Sequence, residues 1–125
     1  MKSVLIVEDD LGFVFWLGGV LAGAGYQALP ACSVSKATEL VEEAASPIDL
    51  LIVDPSLPGV SRLIANLRRS AVALKVIALR AEVKTKLRGV NAWRPKSGPA
   101  QDPAKQKREW LEAVKDVLIR HKHAA

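Results

Sequence analysis

A single stretch near the middle of the chain, residues 48–59, constrains the fold most strongly. It reads Ile-Asp-Leu-Leu-Ile-Val-Asp-Pro-Ser-Leu-Pro-Gly. Its apolar run predicts a strand that is buried on both faces, as in a parallel sheet covered by helices. The strand ends at Asp54, because Pro55, Pro58 and Gly59 prevent regular structure from continuing. We therefore expect Asp54 at the carboxyl end of a central strand, the edge of an open α/β sheet where ligands bind.

A second apolar strand is predicted over residues 3–7, and three acids, Glu8, Asp9 and Asp10, follow it. If the two strands are parallel neighbours, about 5 Å apart, their terminal carboxylates meet in one pocket. Such crowding of negative charge is costly unless a cation lies among the carboxylates. Oxygen ligands without sulfur or imidazole favour Mg²⁺. The alternative is that the three acids only cap the helix that follows them.

Strands and helices alternate along the rest of the chain. Further strands are predicted over residues 26–32, 74–79 and 90–93. Helices are predicted over residues 11–24, from Ser33 or Ser35 to about 45, 62–70, 82–88 and 103–121. This alternation predicts an α/β fold with a doubly wound parallel sheet of five strands and helices on both faces. Pro30 places the strand over residues 26–32 at an edge of the sheet.

The size and cysteine content of the chain restrict the class of protein further. The 125 residues amount to one domain with a sizeable core. A single cysteine, Cys32, excludes an internal disulfide framework and a zinc site built from cysteines, and we expect it to be a small core residue. The sequence enters a strand directly after Met1 without a secretory signal, so we expect the cytoplasm as its compartment.

The charge of the chain is unevenly distributed. The formal net charge is +5, and the basic excess lies mostly in the second half. Such an excess suits nucleic acid or an acidic partner. Because no recognisable DNA-binding motif accompanies it, the simpler interpretation is a solvated basic face, and nucleic acid is not an expected partner.

The first predicted helix is unusual because no charged residue occurs between Asp10 and Lys36. Its glycines, Pro30 and the preceding acids argue against a membrane span. Helical spacing directs one set of side chains toward the sheet, namely Phe13, Leu17, Val20 and Leu21. It directs a second set toward solvent, namely Val14, Phe15 and Ala22. An exposed apolar patch there predicts a surface for a homodimer or a partner protein, unless Phe15 and Trp16 only cover the rim of the core.

Together these motifs resemble the receiver domain of response regulators, the phosphorylatable module of two-component signalling. The resemblance covers nearly the whole chain. It is carried by the run of residues 4–10, Gly25-Tyr26 after the first helix, the strand of residues 49–54 with Pro58 beyond it, and Lys96 after the fifth strand. It implies a flavodoxin-like strand order of 2-1-3-4-5. It also implies a single receiver domain over residues 1–125 that acts without an output domain.

The resemblance implies a role for each matching residue. Asp54 is similar to the phosphoacceptor, and Glu8 and Asp9 are similar to the acids that hold Mg²⁺, Asp9 directly and Glu8 through water. The main-chain carbonyl of Ser56 would complete the protein ligands, and Lys96 would pair with Asp54 and then with a phosphoryl oxygen. The phosphoryl donor would be a histidine kinase or a phosphotransfer protein. Any catalytic activity would be limited to self-catalysed phosphoryl transfer and autodephosphorylation.

Among the departures from the family pattern, two fall at positions that the family uses for switching. Arg80 stands where the family has Thr or Ser at the end of the fourth strand, and Trp93 stands at the position of the switch aromatic, commonly Tyr or Phe. An arginine can clamp a phosphate with two hydrogen bonds, or it can pair with Asp54 or Asp9 in the absence of phosphate. Two hypotheses follow: a receiver that is phosphorylated on Asp54, and a degenerate receiver-like module that binds partners without phosphorylation.

Overall fold

The computed structural model describes the chain over residues 1–44, 46–80, 87, 89–96 and 102–120, with the side chains of Arg80 and Arg120 excepted. Within these residues strands and helices alternate as the sequence predicts. The strands are β1 (Ser3–Val7), β2 (Gln27–Ala31), β3 (Leu50–Val53), β4 (Lys75–Arg80) and β5 (Ala92–Pro95). The helices are α1 (Leu11–Gly23), α2 (Val34–Glu43), α3 (Val60–Ser70) and α4 (Pro103–Arg120).

The five strands form one parallel sheet in the order β2-β1-β3-β4-β5, which confirms the predicted flavodoxin-like topology. β2, which contains Pro30, lies at an edge, as the proline predicts. In the register of β1 with β3, Val7 pairs with Val53. The backbone N–H of Asp54 then donates to the carbonyl oxygen of Val7 at 3.0 Å. The residues that follow β1 and β3 therefore leave the sheet side by side.

The core consists of two apolar layers, one on each face of the sheet, because successive strand residues point to opposite faces. One layer packs strand residues against α1 and α4; its strand members are Val4, Ile6, Leu50, Ile52, Ile77 and Leu79. The other layer packs strand residues against α2 and α3; its buried strand members are Leu5, Val7, Ala31, Leu51, Val53 and Val76. Every residue of β1 and β3 is buried, so the two strands that carry the acids are the most enclosed part of the sheet.

α1 packs on the sheet largely as the helical pattern predicts. The side chains of Phe13, Leu17, Val20 and Leu21 are buried, whereas Phe15 and Ala22 are exposed. The prediction that Val14 faces solvent is wrong, since its side chain is only 1% exposed. Val14 belongs to the layer that includes Trp110 and Val114 of α4. The last helix therefore covers a side of α1 that the pattern of α1 alone leaves open.

Three further expectations differ from the structure or fall outside it. Cys32 is exposed and is not a core residue, because it follows directly on the edge strand β2, where the chain leaves the sheet. α3 begins at Val60, two residues before the predicted start, after Gly59 adopts a left-handed conformation with φ of 85°. The helix predicted over residues 82–88 lies almost entirely outside the described residues.

In the described part of the chain, no helix combines the length and the apolar character needed to cross a membrane.

Candidate functional site

Glu8 follows β1 directly, and its side chain is only 1% exposed. Neither carboxylate oxygen of Glu8 has a hydrogen-bond partner among the described residues. A buried carboxylate without such partners is costly to ionise. Burial, the adjoining Asp9 carboxyl and the negative charge of Asp54 together raise the pKa of Glu8 from 4.5 to about 7, although Lys96 acts in the opposite direction. Glu8 is thus a buried acid with a raised pKa and without a hydrogen-bond partner among the described residues.

Glu8 lies in a cluster with Asp9 and Asp54. Carboxylate oxygens of these three residues, one from each, all lie within 4.8 Å of one another. Adjacent parallel strands in register produce this convergence, which the sequence predicts from the acids after each strand. Three hard oxygen donors, one of them buried without a hydrogen-bond partner, fit a divalent cation. The cluster can therefore bind a metal ion.

Asp54 is held by the loop that follows it. Its Oδ1 accepts hydrogen bonds from the backbone N–H of Ser56 at 2.9 Å and from the Ser56 hydroxyl at 2.7 Å. Within the described residues, Oδ2 accepts no hydrogen bond. From the sequence only the main-chain carbonyl of Ser56 is expected in the site, and the contact of its hydroxyl with Asp54 is not. The Asp-x-Ser spacing is the available signal, because an Asp side chain often binds the backbone two residues further on.

Lys96, which follows β5, lies beside two acids of the first strand end. Its Nζ lies 3.6 Å from Oε1 of Glu8 and 3.5 Å from Oδ2 of Asp10. The expected ion pair of Lys96 with Asp54 is not formed among the described residues, so that expectation is wrong for this structure. Partial burial lowers the pKa of Lys96, but Glu8 and Asp10 outweigh it and raise the pKa above the usual 10.5.

Asp10 is one of the three acids that the sequence predicts either in the pocket or as caps of the following helix. It does cap α1, because its Oδ1 accepts a hydrogen bond from the backbone N–H of Phe13 at 3.2 Å. That hydrogen bond, with Lys96 nearby, lowers the pKa of Asp10 below its usual 3.8. The two interpretations of the acidic run therefore both apply, to different residues: Glu8 and Asp9 belong to the cluster, and Asp10 caps the helix.

The two unusual positions lie on the other side of the site. Arg80 is the last residue of β4, in register with Pro95 of β5, and its side chain falls outside the described part of the structure. Trp93 lies in β5 with 45% of its side chain exposed. The roles of Arg80 as a phosphate ligand and of Trp93 as a switch remain predictions.

The geometry has clear relatives among solved structures, whereas no protein-family model and no curated protein sequence matches the chain. A CheY-like response-regulator receiver domain from Methanospirillum hungatei is 20% identical with a TM-score of 0.76, and the match covers 100% of this chain and 99% of that one. The receiver domain of the hybrid histidine kinase CckA is 27% identical with a TM-score of 0.71, over 94% and 99% of the two chains.

A third relative is the response regulator TrrA from Thermotoga maritima, solved in complex with Mg²⁺ and BeF. It is 23% identical with a TM-score of 0.61, and the match covers 89% of this chain and 99% of that one. The likeness spans each chain almost from end to end. By its structure this chain therefore has the fold of CheY-like response-regulator receiver domains.

Proposed function

We propose that the chain is a receiver that accepts a phosphoryl group on Asp54 in a Mg²⁺-dependent reaction and signals through protein contacts. The observation that carries this proposal is the convergence of Glu8, Asp9 and Asp54 at the ends of two neighbouring buried strands, with their oxygens within 4.8 Å. A carboxylate nucleophile beside a cation site is suited to forming an acyl phosphate. The Mg²⁺–BeF complex of TrrA lends further support, since it is a related fold holding these two components.

Each side chain in the site has a part in this proposal. Asp54 is the nucleophile, and the two hydrogen bonds from Ser56 to its Oδ1 fix the orientation of the carboxylate. This leaves Oδ2 as the oxygen to form the new bond to phosphorus. Lys96 supplies positive charge for the transferred phosphoryl oxygens, which is the main requirement of phosphoryl transfer beyond alignment. Arg80, at the family's Thr or Ser position, is proposed as a second cationic contact for the phosphoryl group.

The donor set of the cluster fits Mg²⁺. Asp9 and Asp54 would bind the ion directly, Glu8 through water, and the main-chain carbonyl of Ser56 would add a fourth oxygen. When bound, the ion neutralises the charge that develops on the phosphoryl oxygens. The positive charge of the ion also offsets the free-energy cost of ionising the buried Glu8 beside two other carboxylates.

The partners in this proposal are a histidine kinase or a phosphotransfer protein as donor, and a further protein that recognises the phosphorylated state. The receivers of CckA and TrrA, which belong to a hybrid histidine kinase and to the response regulators, support this assignment.

The proposal is tested by incubating the protein with acetyl phosphate and Mg²⁺ and measuring its intact mass. We expect the mass of one phosphoryl group to be added to the wild type, and the addition to disappear with EDTA or in Asp54→Asn. The matched control is Asp49→Asn, at the other end of the same strand region. Asp49 accepts a hydrogen bond from the backbone N–H of Ser3, which an asparagine oxygen can also accept.

The outcome that contradicts the proposal is a wild type that gains no mass and binds no Mg²⁺. That outcome would favour the second candidate function, a receiver-like interaction module that works without phosphorylation. The observation in its favour is α1, which carries no charge and exposes 63% of Phe15 and 54% of Leu11. A surface of this kind suits a homodimer or a partner protein whether or not Asp54 is phosphorylated.

A further inference from the structure

Asp10 uses its two carboxylate oxygens for two different contacts. Oδ1 accepts the hydrogen bond from the backbone N–H of Phe13, which caps α1, and Oδ2 lies 3.5 Å from Nζ of Lys96. The cap fixes the position of the carboxylate relative to the helix. The ammonium of Lys96 is therefore tied to a point on α1 that does not depend on the contents of the acidic cluster.

The other partner of Lys96 differs from Asp10 in this respect. Glu8 belongs to the cluster of three acids that fits a divalent cation, and its Oε1 lies 3.6 Å from Nζ of Lys96. A cation bound at the cluster would compete with the ammonium for the negative charge of Glu8. Asp10 would then be the carboxylate that retains Lys96, since its oxygens are outside the cluster.

We propose that Asp10 is a positioning residue that holds the Lys96 ammonium away from Asp54, so that Lys96 must leave Asp10 to reach a phosphoryl group on Asp54. This inference rests on the proposed function of Asp54 as the phosphoacceptor. Its consequence is that Asp10 lowers the affinity of the site for the phosphoryl group. The pair is partly exposed, with the side chains of Lys96 and Asp10 39% and 49% accessible, so its strength is that of a surface ion pair.

The test replaces Asp10 by asparagine, which caps a helix as well as aspartate does but carries no charge. The affinity for beryllofluoride, a phosphoryl mimic, is measured at saturating Mg²⁺. We expect Asp10→Asn to bind beryllofluoride about two- to fivefold more tightly than the wild type, the range that a surface ion pair allows. Asp10→Ser, which also retains a capping oxygen, should behave in the same way.

The matched control is Asp102→Asn. The Oδ1 of Asp102 accepts a hydrogen bond from the backbone N–H of Lys105 at the start of α4, so this change also removes one charge from a capping aspartate. Asp102 forms no ion pair within the described residues. We expect beryllofluoride affinity to be unchanged in this variant, which separates the contact with Lys96 from the loss of a capping charge in general.

A double-mutant cycle with Lys96→Ala shows whether Asp10 acts through Lys96. Removing a negative charge near the site would favour an anion even without Lys96, whereas an effect through the ion pair must vanish when Lys96 is absent. We expect Asp10→Asn to have no effect in the Lys96→Ala background. An equal gain in both backgrounds, or no gain in either, would overturn the role of Asp10. A wild type that binds no beryllofluoride would overturn the proposed function together with it.

Discussion

The two sides of the candidate site are built differently. On one side, the acids follow β1 and β3, in which every residue is buried, and Glu8 itself is only 1% exposed. On the other side, Lys96 follows β5, an edge strand whose residues are alternately half-buried and exposed, with Trp93 45% exposed. The acidic cluster thus stands on the most enclosed part of the sheet, and the lysine stands on one of the least enclosed.

The difference in burial between the two sides suits two different tasks, binding a cation and moving a lysine. A cation site needs carboxylates that are held in fixed positions by the packing around them, and the buried centre of the sheet provides such packing. A lysine that exchanges one partner for another needs a support that can adjust at low cost, and an edge strand with exposed side chains provides it. Two of the residues that depart from the family pattern, Arg80 and Trp93, lie in β4 and β5, while the acids that match the pattern follow β1 and β3.

The contrast in enclosure predicts a large difference in stability between equivalent truncations. Ile52→Ala in β3 removes a fully buried side chain and should lower the free energy of unfolding by about 2–5 kcal/mol. Trp93→Ala in β5 removes a larger side chain that is 45% exposed, and it should cost about 1 kcal/mol or less. Urea unfolding of both variants measures these values. Similar losses in the free energy of unfolding for the two variants would contradict the difference in enclosure between β3 and β5.

A change at Glu8 tests whether the enclosed side is a cation site. Glu8→Gln should weaken Mg²⁺ binding at least about tenfold, because it removes one charge from the cluster. Isothermal calorimetry measures the affinity, and Glu43→Gln, an exposed residue at the end of α2, is the matched control. Equal Mg²⁺ affinities in the Glu8 variant and the wild type would place the ion elsewhere.

The raised pKa of Glu8 adds a dependence on pH. Because this pKa is about 7 in the folded protein and 4.5 in the unfolded chain, the folded protein keeps a proton that the unfolded chain has released between these values. Without Mg²⁺, the contribution of Glu8 to the free energy of unfolding should therefore fall as the pH rises from about 4.5 to about 7. The affinity for Mg²⁺ should rise as the pH increases toward about 7, since the ion binds the ionised form of Glu8. Glu8→Gln should remove both trends.

Arg80→Thr tests the exposed side of the site by restoring the residue type that the family usually has there. If Arg80 hinders the usual handling of the phosphoryl group, the rate of loss of the acyl phosphate on Asp54 should change severalfold, on the order of 1 kcal/mol in activation free energy. The rate is measured by intact mass after removal of the donor. Arg69→Thr in α3 is the control, and an unchanged rate in both variants would show that Arg80 does not act on the phosphoryl group.

The smallest expected effect on stability is that of Phe15→Glu. Phe15 is 63% exposed on α1, so the free energy of unfolding should change by no more than about 0.5 kcal/mol. If α1 is an association surface, the added charge should abolish self-association in sedimentation experiments. Val72→Glu, at an apolar residue that is 88% exposed, is the matched control. Identical sedimentation of both variants and the wild type would exclude a homodimer through α1.

The sequence alone determines the central part of this protein. An apolar run that stops at Asp54, and another that stops at Glu8, predict buried parallel strands, and the structure places β1 and β3 side by side with their acids together. This inference succeeds because it depends on local patterns and on one general property, namely that parallel strands end at the same edge of a sheet. The edge position of the strand that contains Pro30 follows from a similar local pattern, whereas the strand order is what the resemblance to receiver domains implies.

Only the tertiary structure decides which charged groups meet. Lys96 pairs with Glu8 and Asp10 and not with Asp54. The tertiary structure also decides which apolar surfaces are covered: α4 packs over the side of α1 that carries Val14, whereas Cys32 is exposed. Each of these outcomes depends on distances between elements that are far apart in the sequence. A periodic pattern fixes which face of an element is apolar, but it contains no information on what packs against the remaining sides.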